Sequence, residues 1–162
     1  MIKLLSFKKL YYQQRAFVRS SIYWMVRSDS VDDLVQDTFV KAWDKFDSFD
    51  QRSSFKTWIY RIAMNTTYDY LRKNKLESQK AKDYSTPEFG DDGIINKDLI
   101  SYGLKQLDEN LREVFILYYK LDYSILEIAE VVSIPQGTVK SRLFRAREIF
   151  QKVLKENGVE DE

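Results

Sequence analysis

Apolar positions recur along this chain at the three-to-four-residue spacing of an α-helix, not the alternation of a strand. Val35, Phe39, Ala42 and Phe46 mark one face of a helix expected over about 31–46. Phe55, Ile59, Ile62, Thr66 and Tyr70 mark the buried stripe of another over 54 to about 73, after a loop at 47–53. A first helix is expected over about 7–26. Periodicity then fades over 76–97, a stretch with Pro87, Gly90 and Gly93 that reads as a flexible linker. Beyond it the pattern predicts helices over 99–107 and 111–121, followed by a helix pair. Ser124 with Glu127 fits a capping box opening the first member, whose apolar face is Ile125, Ile128, Ala129 and Val132. Ser133 with Gln136 fits a second capping box, with Pro135 in the turn that follows. Val139, Leu143, Ala146 and Phe150 then give one buried face. Small Ala129 and apolar Val139 stand where two crossing helices touch. The expected fold is all-α: a helical domain at 1–75, the linker at 76–97, and a second helical domain at 98–157 containing a helix-turn-helix. The acidic tail at 156–162 is expected to fray.

Composition narrows the chemistry. The 162 residues are 44% hydrophobic, enough for real cores, and five Gly with two Pro favour long helices over a turn-rich β fold. There are no Cys and no His. Thiol nucleophiles, disulfides, imidazole bases and the usual zinc sites are therefore excluded, and neither a cofactor nor a metal is expected. No apolar run approaches the ~20 residues that span a bilayer. The N-terminal stretch is basic without an apolar block suited to secretion. A cytoplasmic protein without membrane insertion is the expectation.

The net charge of +1 hides alternating blocks. Residues 1–27 carry six bases and no acids, whereas 29–50 carry seven Asp against two Lys. Residues 52–75 carry six bases against Asp69, 83–98 five acids against Lys97, and 136–155 six bases against Glu148. Separate blocks suit separate partners. Basic blocks suit nucleic acid, and the acidic block between them suits a basic protein surface.

Two stretches carry the candidate chemistry. In the last helix Lys140, Ser141, Arg142, Phe144, Arg145 and Arg147 lie off the buried face, with no acid before Glu148. A basic second helix of a helix-turn-helix fits the major groove, its first turns aimed at base edges. Phe144 among those charges has a use if it meets a base or sugar. A helical hairpin with a solvated polar face fits the same pattern. In the third helix Arg61, Asn65 and Arg72 fall at i, i+4 and i+11, with Tyr68 nearby and Trp58 and Tyr60 adding aromatic surface. Asn offers a donor and an acceptor to a base edge. Arg holds phosphate, and aromatics stack on unpaired bases. This mixture suits melting DNA better than an intact duplex. The alternative is that the aromatics are core and Asn65 bonds locally. The polar side of the second helix, Asp32, Asp33, Gln36, Asp37 and Lys41, fits either helix-dipole stabilisation or docking on a basic partner.

Three segments together resemble one family. DDLVQDTFVKAW at 32–43, FDSFDQRSSFKTWIYRIAMNTTYDYLRK at 46–73 and LDYSILEIAEVVSIPQGTVKSRLFRARE at 121–148 are similar, in order and spacing, to the extracytoplasmic-function sigma factors. These are small two-domain initiation factors of bacterial RNA polymerase. The resemblance implies that Asp33, Gln36 and Asp37, with Lys41 on the same face, dock on the clamp coiled coil of the polymerase largest subunit. It implies that Arg61, Asn65 and the loop around Ser48 and Phe49 capture an everted base of the minus-ten element, with Tyr68 and Arg72 alongside. Lys140, Ser141, Phe144 and Arg145 would read the minus-thirty-five element, while Thr138 and Arg147 hold phosphate. Expected partners are core polymerase, through its clamp and flap, promoter DNA, and an anti-sigma factor typical of the family. The chain departs from the family at Val31-Asp32-Asp33, where Ala-Glu-Asp is usual, and at Asp50-Gln51-Arg52, where a basic residue and glycine are common.

No catalysis is expected. Two modest DNA contacts tethered to polymerase would combine through raised effective concentration, and everted bases entering a pocket would offset unstacking. The competing class is a stand-alone helix-turn-helix regulator, which lacks a reason for the docking-helix motif. A nucleic-acid-modifying enzyme lacks its His, Cys and any convincing carboxylate pair.

Overall fold

The computed structural model describes the backbone of residues 1–80 and 97–159. The described residues form helices α1 (Ile2–Val26), α2 (Val31–Lys45), α3 (Phe55–Lys80), α4 (Lys97–Gln106), α5 (Glu109–Tyr119), α6 (Ile125–Val132) and α7 (Gln136–Glu156). A single 3₁₀ turn, Phe46–Ser48, follows α2. The all-α, two-domain architecture is the expected one. The expected linker falls mostly on 81–96, outside the described residues, as do the last three residues of the tail.

The first domain packs α1, α2 and α3 against one another. Val18, Ile22, Phe39, Ala42, Ile59 and Ala63 fill its centre. Burying such side chains is the main force holding the helices together. Thr38, Thr66 and Thr67 are buried too, and each hydroxyl donates to the carbonyl four residues earlier, so none of the three is stranded. At one end an aromatic cluster sets the α2–α3 connection. Phe7 meets Trp43, Phe46 and Phe55 edge-on, and Phe49 packs 4.9 Å from Trp58 between ring centres. Ser54 Oγ accepts from Thr57 N at 3.1 Å, capping the start of α3.

The second domain wraps α4, α5 and α6 around α7. Leu104, Leu107, Val114, Leu117, Ile128, Val139, Leu143 and Ala146 form its core. Gly103 lies where α4 meets α7; a Cβ there would stand 2.6 Å from the Phe150 ring. Asp108 caps α5 by accepting from Leu111 N at 2.9 Å. The two cores are continuous, through contacts of α1 with α5 and of α3 with α6.

Helix ends differ from the sequence pattern at several places. α1 begins at Ile2, earlier than residue 7, because its first turn is exposed and leaves no apolar periodicity to read. α3 runs to Lys80, past residue 73. The capping box at Ser124–Glu127 forms, with bonds in both directions. The second does not. Ser133 is the left-handed C-cap of α6, at φ 62° and ψ 48°, and α7 starts after Pro135 with no side-chain cap. Only Ser133, Ile134 and Pro135 separate the helices, so Ser133 closes one and cannot also open the next. Among the described residues no helix is long and apolar enough to cross a membrane.

Candidate nucleic-acid interface

The two faces of α7 separate cleanly. Val139, Leu143, Ala146 and Val153 are buried. On the other side Lys140, Ser141, Arg145 and Arg147 are exposed, and Phe144 keeps 58% of its surface in water. Thr138 is half-buried, and its carbonyl accepts from Ser141 Oγ at 3.0 Å. Arg147 Nη1 donates to Tyr119 Oη at 3.4 Å. Three residues, 133 to 135, form the turn into this helix, tied down by Ile134 N donating to Ala129 O at 3.1 Å. An apolar ring held in water beside three or four cations has no folding role here. Stacking on a base or sugar would use it.

The α3 face is built differently. Arg61, Asn65 and Tyr68 share a cleft of about 400 Å³ with Glu113 of α5, Ser133 of the turn and Arg142 of α7. Tyr60 and Tyr68 hydroxyls donate to the two oxygens of Glu113, the first at 2.7 Å. Arg61 donates to Ser133 Oγ. Glu113 is only 6% exposed, and burial pushes its carboxyl above the ordinary value while the two tyrosine bonds pull it back. Burial and the neighbouring carboxylate raise both tyrosine hydroxyls well above their usual value. Both phenols are thus donors at neutral pH.

The remaining expected minus-ten residues do not join that cleft. Arg72 lies further along α3, bonded to Asp69 at 2.8 Å, and lines a separate cleft of about 950 Å³ with Arg27, Lys75 and Lys105. Ser48 is exposed and donates to Lys45 O at 2.6 Å. Phe49 is half-buried in the aromatic cluster against Phe55 and Trp58. In the loop that departs from the family pattern, Arg52 pairs with Asp50 at 2.8 Å and Gln51 takes a left-handed φ of 60°. The structure therefore gathers Arg61, Asn65 and Tyr68, and holds Ser48, Phe49 and Arg72 apart from them.

The α2 face is acidic and open. Asp33, Gln36 and Asp37 are exposed on successive turns, while Asp32 accepts from Arg19 at 3.1 Å. Lys41 is exposed as well, its ammonium donating to Thr66 Oγ1 of α3 at 3.2 Å. Beside them Tyr11, Val35, Phe39, Val40 and Trp43 line an apolar groove of about 640 Å³ between α1 and α2, which Gln36 also borders. Sequence reasoning missed this groove. Its signal was Val40, an aliphatic residue out of phase with the buried stripe and 53% exposed. Glu113 and Arg112 were missed as well; two adjacent charges inside the apolar run Leu111–Leu117 were the available sign.

Comparisons with known proteins converge on one family. The Sigma-70 region 2 family matches residues 10–77, and the Sigma-70 region 4 family matches residues 98–149. An ECF RNA polymerase sigma factor, SigW of Bacillus subtilis, is 35% identical, with 77% of this chain and 75% of that protein aligned. The ECF RNA polymerase sigma-E factor of Escherichia coli K12 is 36% identical over 81% of this chain and 77% of its own. Among solved structures, the sigma factor RpoE of Bartonella quintana, in complex with the anti-sigma factor NepR, superposes with a TM-score of 0.71 at 30% identity. That match covers 93% of this chain and 97% of the other. CnrH, in complex with the cytosolic domain of CnrY, gives 0.68 at 27% identity over 94% and 90%. With both domains matched in order and two thirds or more of each relative covered, the chain belongs to the extracytoplasmic-function sigma factors.

Proposed function

We propose that this chain directs core RNA polymerase to specific promoters by dividing three tasks among three surfaces. The domain at 1–75 docks on the clamp coiled coil through Asp33, Gln36 and Asp37, with Lys41 bracing α2 against α3. The same domain takes up the minus-ten element, with Arg61, Asn65 and Tyr68 at the everted base. Ser48, Phe49 and Arg72 act from the flanks of that site. The domain at 98–157 reads the minus-thirty-five element in the major groove through Lys140, Ser141, Phe144 and Arg145, while Thr138 and Arg147 hold phosphate. It also meets the polymerase flap. The segment at 76–97 joins them.

The observation that carries this reading is α7, whose apolar side is sealed in the core while its basic side and Phe144 stand free. A helix so partitioned has its recognition residues already positioned by packing. Each bidentate base contact then adds ~1–3 kcal/mol of discrimination. Neither domain is large, so specific binding rests on polymerase holding both near the promoter. The protein is a transcription initiation factor by family, acting in the cytoplasm without catalysis of its own. Two structural relatives were solved with a bound protein partner, which supports a protein inhibitor for this chain too.

A run-off transcription assay with purified core polymerase and fragmented genomic DNA tests the reading. Discrete start sites that require this protein, and vanish with Asp37→Arg, are the expected result. Absence of specific transcripts, with tight duplex binding by the protein alone, would replace it with a stand-alone regulator.

A further inference from the structure

The first turns of α1 invert the usual placing of side chains. Leu4 and Leu5 are 56% and 60% exposed, whereas Lys3 beside them is half-buried. Folding by itself favours the opposite, with leucines inside and the ammonium in water. The position is also poor for a cation. Lys3 sits in the first turn of α1, which holds no acid, at the positive end of the helix dipole. Lys8 and Lys9, further along the same helix, are exposed in the ordinary way.

Two contacts draw Lys3 inward. Its ammonium lies 4.6 Å from the centre of the Trp43 ring, in the last turns of α2. It also pairs with Asp47 Oδ2 at 2.6 Å, in the 3₁₀ turn Phe46–Ser48. The aliphatic stem can lie along the first domain while the charge reaches the second partner at the surface. Phe7, one turn further on, meets Trp43 and Phe46 edge-on, with ring centres 5.2 Å apart in both cases. Those rings locate Phe46 but not the exposed residues after it. Asp47 and Ser48 are both exposed. The bonds from Ser48 Oγ to Lys45 O at 2.6 Å and from Phe49 N to Phe46 O at 3.1 Å are local to the turn. The contact from Lys3 is not local; it spans 44 residues and ties the turn to a different helix.

We propose that Lys3 is a positioning residue for promoter recognition: it pins Asp47, fixes the entry to the 47–53 loop, and so sets Ser48 and Phe49 for the minus-ten element. The proposal rests on the assignment of Ser48 and Phe49 to that element. A loop ordered before DNA arrives loses less entropy at each contact it makes. The pair is charged and partly exposed, so its effect is modest and weakens with salt.

Lys3→Met keeps an unbranched stem against Trp43 and removes the charge. The Phe49 amide reports on the turn in the free full-length chain. Its hydrogen exchange, followed by nuclear magnetic resonance, should quicken about threefold in Lys3→Met, the size of effect an exposed ion pair carries. Run-off transcription with core polymerase gives the second readout. The template is the strongest promoter found with the unsubstituted protein, together with copies carrying single changes in the minus-ten or minus-thirty-five element. Lys3→Met should narrow discrimination among the minus-ten copies about threefold and leave that among the minus-thirty-five copies unchanged. A residue needed only for folding would move both or neither. Asp47→Asn should reproduce the change, and the double variant should be no worse than either single one. Exchanging the charges, Lys3→Asp with Asp47→Lys, should restore most of the loss. Unchanged Phe49 exchange, additive single effects, or faster exchange with unchanged minus-ten discrimination overturns the positioning role. Start sites that depend on minus-ten bases, with Phe49 exchange unchanged in Lys3→Met, remove only that role. Faster exchange without any protein-dependent start site removes instead the promoter assignment beneath it.

Discussion

Helices α3 and α7 carry similar side chains and present them to different surroundings. Both offer arginines and an aromatic ring off their buried stripe. On α7 those groups face water, from Lys140 to Arg147. On α3 the equivalent groups meet the second domain, where Tyr68 bonds Glu113 and Arg61 bonds Ser133. A helix packed on one side shows its function by what it leaves exposed. A helix packed on two sides hides it, because the second face is explained by stability and by recognition alike. Substitutions on the two helices should therefore separate stability from DNA binding on α7 and mix them on α3.

The largest effect should come from the sealed side of α7. Leu143→Ala, at a side chain 2% exposed, should lower stability by about 3 kcal/mol, transfer and cavity terms together. Urea unfolding followed by circular dichroism would measure it. On α3, Tyr68→Phe leaves a buried carboxylate one donor short and should reduce stability by about 2 kcal/mol. A loss below the error of the same melt would break the comparison, because Tyr68 would then behave like a solvent-facing residue. Arg145→Ala should leave the melt unchanged. It should instead weaken use of the minus-thirty-five element by about tenfold, a loss of ~1.4 kcal/mol in base contact, read from start-site intensity in run-off transcription. Ser124→Ala removes one half of the α6 capping box and should lower stability by about 1 kcal/mol without moving the DNA contacts.

The smallest effect is a pH dependence confined to the α3 side. Burial raises Glu113 above the ordinary carboxylate value of 4.5, so the folded chain binds that proton more readily than the unfolded chain does. Stability from this group should rise as pH falls from neutral into the interval just above 4.5, and decline as the carboxylate ionises. Denaturation midpoints across that interval should show the slope, and Glu113→Gln should flatten it.

The stripes that pack inside one domain were legible in the sequence. Val35, Phe39 and Ala42 on α2, and Val139, Leu143 and Ala146 on α7, are buried as their spacing predicts. The capping box at Ser124 was legible because both its bonds are local. What was not legible depends on the other half of the chain. Tyr60, Met64 and Thr67 are buried in addition to the predicted α3 stripe; they recur at i, i+4 and i+7 as a second face, but nothing within α3 says that Tyr60 meets Glu113 of the other domain. Ser133 shows the same limit. Its spacing to Gln136 fits a cap, but the three-residue turn leaves it closing α6, and its hydroxyl meets Arg61 from the other domain. The candidate sites followed the same division. The α7 residues stand on one open face as their spacing implied, whereas Ser48, Phe49 and Arg72 lie apart from the cleft that gathers Arg61, Asn65 and Tyr68.

The three tryptophans, Trp24, Trp43 and Trp58, all belong to the first domain. Trp43 and Trp58 sit in the aromatic cluster at the α2–α3 connection. Trp24 alone carries a cation from the second domain over its ring. Near-ultraviolet excitation of the unlabelled protein thus gives two emitters within the first domain and a third that would report any displacement of Lys120. The molecule carries its own optical gauge of that contact, readable in a stopped-flow mixing cell without chemical modification.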